Sequence, residues 1–189
     1  MTTFKENALF RGLRAHHQYN ACVGNNGGPY DLYDYAQGYF EATGILLLQA
    51  MKPGMLIDIL VYPICLSFRH AVELYIKYLI SDLAKVSGAK ENFRKNHSLE
   101  DNWKIALKMI RNSALRTTMK QRAKMQEIVE SIAEVDQTGE VFRYPESIKE
   151  DQHLKNWSVI NLVVLLAEYE AAYEIAKTWH HMLEALRDR

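Results

Sequence analysis

The chain has 189 residues, 48% of them hydrophobic and 24% charged, which is enough for one well-buried core and short for two domains. Its 23 basic and 23 acidic side chains cancel, which excludes a chain that grips nucleic acid by bulk charge but not one with a local basic patch, or a groove completed by a second subunit. The two cysteines, Cys22 and Cys65, lack C-x-x-C spacing and suggest neither a zinc site nor a disulfide framework.

The N-terminal MTTFKENALFRGLRAHH lacks the apolar core of a signal peptide. Residues 1–30 are predicted to be an arm, with or without a short helix, running into a Gly- and Asn-rich loop, NACVGNNGGPY, over 20–30. Its glycines are loop residues and no phosphate cradle, since no Gly-Lys-Ser/Thr follows and no strand precedes. The remainder, 31–189, is predicted to be a single helical domain.

From Asp31, Leu32, Tyr35, Ala36, Tyr39 and Phe40 recur at helical spacing, and Lys52-Pro53-Gly54 stops the helix. These aromatics could stack bases, but at this spacing they are read as core. A second helix is predicted over about 55–86, either kinked at Pro63 or restarted there, and closed by Gly88. Its most apolar stretch, MLIDILVYPICL, is too short to span a bilayer and carries Asp58 and Pro63, so a cytoplasmic protein without membrane contact is expected. Ser98 is a credible N-cap for a third helix, with Asp101 at the capping-box position. A fourth covers about 117–135 with Met125, Ile128, Val129 and Ile132 as its stripe.

Residues 136–156 break the periodicity. Gly139 and Pro145 bracket EVFRY, predicted to be extended, as a short strand or lying flat over the bundle. A final helix is predicted over about 158–187, apolar on most sides at its start and so suited to the centre of a bundle or a subunit interface. The expected fold is all-α, a four- to five-helix bundle with one short extended loop before the long final helix.

Three stretches put polar residues where a bundle needs none. In FRHAVELYIKYLI, His70, Glu73 and Lys77 share one helix face, and Arg69 can reach Glu73. The others are NHSLEDNW, from Asn96, and GEVFRYP, from Gly139, preceded by Asp136. An Arg-His-x-x-Glu-Leu-x-x-Lys helix, a His-x-Leu helix start and a Phe-Arg-Tyr-Pro loop before a long last helix together resemble a bacterial branch of the HEPN superfamily, over roughly residues 60–185. The resemblance implies a bundle that dimerises, and an RNA or nucleotide ligand. It further implies metal-independent ribonuclease activity in many members, and a bacterial stress or phage-defence setting, with an antitoxin partner in toxin–antitoxin systems. The family's signature is an arginine followed four to six residues later by a histidine on a late helix: the imidazole moves protons and the guanidinium holds phosphate.

This chain departs from that signature. Trp179, His180 and His181 have no arginine at that distance before them, and the only spacing match, Arg11 with His16 or His17, lies near the N-terminus. The candidate site is therefore a convergence of the three stretches: Arg143 on phosphate, His70 or His97 transferring protons, Glu73 orienting a partner, with Arg69 beside it. The alternative is a non-catalytic helical interaction or dimerisation module in which the same residues are structural. Arg69 and Glu73 then form an ion pair, His97 anchors a helix start, and Arg143 pairs with Asp136 or Glu73. No cofactor or metal is expected: His70-x-x-Glu73 reverses the di-iron order, and the pairs His16-His17 and His180-His181 point their members to divergent faces.

Overall fold

A computed structural model describes residues 5–188. The chain divides into two compact units, 1–30 and 31–189. The first holds a 3-10 turn, Arg14–Tyr19, with no buried residue, and Arg11, His16 and His17 are exposed.

The second unit is a bundle of five α-helices: α1 Leu32–Ala50, α2 Ile57–Ser87, α3 Leu99–Arg111, α4 Met119–Val135 and α5 Leu162–Arg187. Four have side-chain N-caps, which supply acceptors for the orphan N–H groups of a first turn. Asp31 accepts from the amides of Tyr33 and Asp34, while Asp34 accepts from the amide of Asp31. Thr118 and Gln121 make the same reciprocal box. Ser98 caps α3 through the amide of Asp101 but receives nothing in return, because the Asp101 carboxylate pairs with Arg94 at 2.9 Å. α5 starts four residues later than expected, at the cap Asn161, whose Oδ1 accepts from Val163 and Val164.

α2 is one continuous helix, and Pro63 neither breaks nor begins it. The carbonyl that Pro63 cannot serve is that of Ile59, one turn back, and both residues are exposed, so water can satisfy it. Gly88, in the left-handed region at φ 66°, ends the helix. Fourteen of its residues between Ile64 and Leu83 are buried, and it packs against α1, α3 and α5. The centre of the bundle is therefore α2 rather than the final helix. By length and composition α2 is also long and apolar enough to cross a membrane, which the shorter apolar stretch had argued against. Much of its surface is instead spent on the core, together with buried Arg69, Glu73 and Asp82.

Around α2, Trp103 of α3 stacks parallel to Trp179 of α5, both fully buried. α1 and α5 run antiparallel, since Glu41 meets Tyr173 and Gly44 meets Tyr169. A Cβ at Gly44 would lie 2.5 Å from the Tyr169 hydroxyl, so a larger residue there would have to push the Tyr169 ring aside. The α1 aromatics divide: Phe40 is core, Tyr35 is exposed, and Tyr39 lies edge-on to the His70 ring at 4.5 Å.

EVFRY is not extended. No strand forms among the described residues beyond an isolated bridge between Glu146 and Gln152. Asp136 Oδ1 collects the amides of Gly139, Glu140 and Val141 at 2.7, 3.0 and 3.3 Å. The amides of Arg143 and Tyr144 then bond the Glu140 carbonyl. An aspartate gathering successive amides curls the chain into a turn, a local competitor that strand propensity does not register.

Candidate functional site

α2 carries Arg69 and Glu73 one turn apart, inside the bundle, each 2% exposed. Arg69 Nη1 donates to Glu73 Oε2 at 2.7 Å, Nη2 to the His97 carbonyl at 2.8 Å, and Nε to the Asp136 carbonyl at 3.1 Å. Nε also lies 3.3 Å from Asp136 Oδ2, a contact of charges and not a hydrogen bond, since that oxygen has no donor. All three guanidinium nitrogens are thus engaged on protein groups. The arginine fastens α2 to the segment entering α3 and to the segment leaving α4.

Glu73 is the second hub. Its Oε1 accepts from Lys77 at 2.7 Å and lies 3.0 Å from His97 Nδ1. Burial opposes its charge, but the hydrogen bonds and charges of Lys77 and Arg69 outweigh that and hold the carboxyl down at about 2. An ionised Glu73 can only accept, so Nδ1 of His97 carries the hydrogen of this bond. The His97 side chain is 64% exposed.

His70 is half-buried between this network and Tyr39. Its proton affinity is lowered, first by burial and further by Arg69, Lys77 and Arg143, with Glu73 opposing. Arg143 is exposed, and among the described residues its guanidinium makes neither a hydrogen bond nor an ion pair. The predicted set therefore divides: Arg69 and Glu73 are interior and satisfied, His97 hangs from Glu73 at the surface, His70 is partly covered, and Arg143 is free. The pairing foreseen for Arg143 with Asp136 is made by Arg69 instead. Asp136 was visible in the sequence as a neighbour of GEVFRYP and a partner for Arg143, not for Arg69.

Sequence reasoning missed a second polar cluster, where α2 meets α5. Tyr33 stacks on His180 at 3.4 Å and 5°. The Tyr78 hydroxyl lies 2.7 Å from His180 Nδ1 and accepts from Arg187 Nη2 at 2.9 Å. Arg187 Nε lies 3.0 Å from Asp82 Oδ2, yet neither Asp82 oxygen has a hydrogen-bond donor. Burial raises the Asp82 carboxyl, with Arg187 and Lys85 opposing, and burial pushes the Tyr78 hydroxyl up, with Asp82 adding to it. The available signal was Asp82 itself, an acid one turn after Tyr78 on a face otherwise given to core.

Two concave surfaces lie elsewhere. One of about 500 Å³ is walled by α4, α5 and their connection, with Phe68, Ile132, Phe142 and Trp157 among its apolar lining. Cys65 is on its wall, its thiol pushed up to about 12 by burial and so neutral. The second lies between α1 and α5, beside Ile45, Leu48 and Leu166. Neither includes Arg69, His70, Glu73, His97 or Arg143. None of the family models, curated proteins or solved structures compared with the chain matches it.

Proposed function

We propose that the chain is a helical interaction module that pairs with a second copy of itself, and that Arg69, Glu73 and Asp136 latch its bundle. The observation that carries this reading is the arginine: at 2% exposure, with all three nitrogens bonded to protein groups, it is closed off from a phosphate arriving from solvent. With the motif occupied in this way, the surface left for function is apolar.

The antiparallel run of α1 and α5 brings the end of α1 to the start of α5, and the α1–α2 turn brings the start of α2 to the same end of the bundle. Ile45, Leu48, Leu56, Ile59, Val163 and Val164 are each more than 60% exposed there. Single exposed apolar residues are ordinary, but six gathered at one end are a surface that water opposes. Zero net charge removes long-range repulsion between copies, which favours a second chain as the occupant. Light scattering on the eluting protein at micromolar concentration is expected to give twice the chain mass. Ile45→Glu with Leu48→Glu is expected to give a monomer of unchanged helicity. A wild-type monomer at that concentration rules the reading out.

A second reading keeps the HEPN resemblance active at the rim. Its support is the Glu73–His97 pair, in which a carboxylate holds one imidazole nitrogen and leaves the other exposed, with Arg143 unpaired and close enough to influence His70. In that reading His97 moves protons during metal-independent RNA cleavage, Arg143 binds phosphate, and Arg69 is structural. Cleavage of a mixed RNA pool in EDTA that is lost in His97→Ala and Arg143→Ala supports it. No cleavage by wild type eliminates it.

A further inference from the structure

The last turns of α5 hold a donor set that neither reading uses. On a helix at 100° per residue, His180 and His181 do diverge, but Glu184 lies about 40° round from His180, between the two histidines. Its Oε2 is 3.3 Å from His180 Nε2 and 3.4 Å from His181 Nδ1, and the three residues offer donor atoms within 4.8 Å of one another. Two nitrogens bound at about 2.0–2.1 Å to a tetrahedral ion stand roughly 3.3–3.4 Å from its oxygen ligand, so both nitrogen–oxygen separations are already those of a zinc centre. The earlier expectation that His180 and His181 are no ready chelate overlooked the carboxylate between them.

We propose that His180, His181 and Glu184 bind a divalent cation of the zinc class, with the fourth position left to water or to an exogenous ligand. Two imidazoles and one carboxylate select zinc or a neighbouring transition metal over magnesium or calcium, which take oxygen sets. The carbonyl end of α5 adds a favourable dipole for a cation.

The surroundings of His180 supply what a ligand histidine requires. Its ring is fixed by the stacked Tyr33, and its Nδ1 is held by Tyr78, so only Nε2 faces Glu184. Metal on Nε2 places the ring hydrogen on Nδ1, which then donates to the Tyr78 oxygen, the outer-sphere bond typical of metal-bound histidines. Tyr78 must then turn its own hydrogen elsewhere. The proton changes atoms within the ring, and no oxidant, reductant or co-reactant is required.

The test is calorimetric titration of chelator-stripped full-length protein with zinc chloride, with magnesium chloride as the control. Expected are one saturable zinc site per chain, no magnesium binding, and affinity at least about tenfold weaker in His181→Ala and in Glu184→Gln. Both residues are more than half exposed, so neither variant is expected to disturb the fold, which circular dichroism checks. Cobalt in place of zinc is expected to give the strong visible absorption of a tetrahedral ion. Absence of saturable zinc binding overturns the proposal. So does binding that persists unchanged in both variants, as it would if His16 and His17 carried it.

Discussion

Arg69 lies flat against Gly139, so close that a Cβ built on the glycine would stand 3.0 Å from Nη1 and 3.1 Å from the guanidinium carbon. Gly139 also has φ +87°, a conformation side chains resist. Gly139→Ala is therefore expected to cost on the order of 1–3 kcal/mol. Gly54, with φ +81° but nothing within 4 Å, controls for the backbone alone. Gly139→Ala is expected to lower the urea midpoint more than Gly54→Ala, and equal losses would remove the contact with Arg69 from the explanation.

Glu73→Gln keeps the shape of the hub and removes its charge, leaving Arg69 and Lys77 facing a neutral amide. Stripping one partner from a buried ion pair typically costs about 3–5 kcal/mol, and the melting temperature should fall by roughly 2–4 °C for each of those kcal/mol. The double variant Arg69→Met/Glu73→Leu removes the pair but leaves buried Asp136 and half-buried Lys77 without their partner charges, so it is expected to be no more stable than Glu73→Gln. A double variant more stable than Glu73→Gln would mean that Asp136 and Lys77 do not depend on the latch.

Acidification is expected to destabilise the fold in two windows. His70 and His180 have lowered proton affinity in the folded state, in each case chiefly through burial. The unfolded chain therefore binds more protons once pH falls through about 6.5, and stability declines with it. Glu73 stays ionised down to about 2 when folded, so a further loss begins near the ordinary carboxylate range of about 4.3 and continues toward that value. Asp82 is shifted up and acts in the opposite sense, and its contribution cancels when wild type is compared with His70→Gln. The denaturant midpoint of wild type should drop more than that of His70→Gln between pH 7.5 and 5.5, and parallel curves would discount His70.

Arg143→Ala is expected to change stability by less than about 0.5 kcal/mol, since the side chain is exposed and unpaired. A large loss in thermal unfolding would mean that Arg143 bears on the latch after all.

The helices were legible where periodicity and punctuation agreed. Ser98 and Gly88 both stand at helix ends in the structure, because capping is local chemistry. Pro63 left two readings open, since whether a helix survives a proline depends on what surrounds the freed carbonyl. EVFRY reads as extended by composition, yet it curls because Asp136, three residues before Gly139, offers an acceptor to three amides. In the candidate site, the Arg69–Glu73 pair followed from i, i+4 spacing. Its burial did not, because the elements that cover it arrive from residues 97 and 136. The Tyr78–His180 contact joins residues 102 apart in sequence, and no local pattern announces it.

The two main-chain bonds of Arg69 have one more consequence. The carbonyls of His97 and Asp136 are where the chain leaves the central bundle for α3 and where it returns after α4, and one guanidinium holds both. Residues 98–135 thus form a cassette whose entrance and exit are pinned at a single point. A segment tethered in this way meets the core with its two ends already in register, so the buried faces of α3 and α4, Trp103 among them, are set against α2 and α5 from a single fixed point.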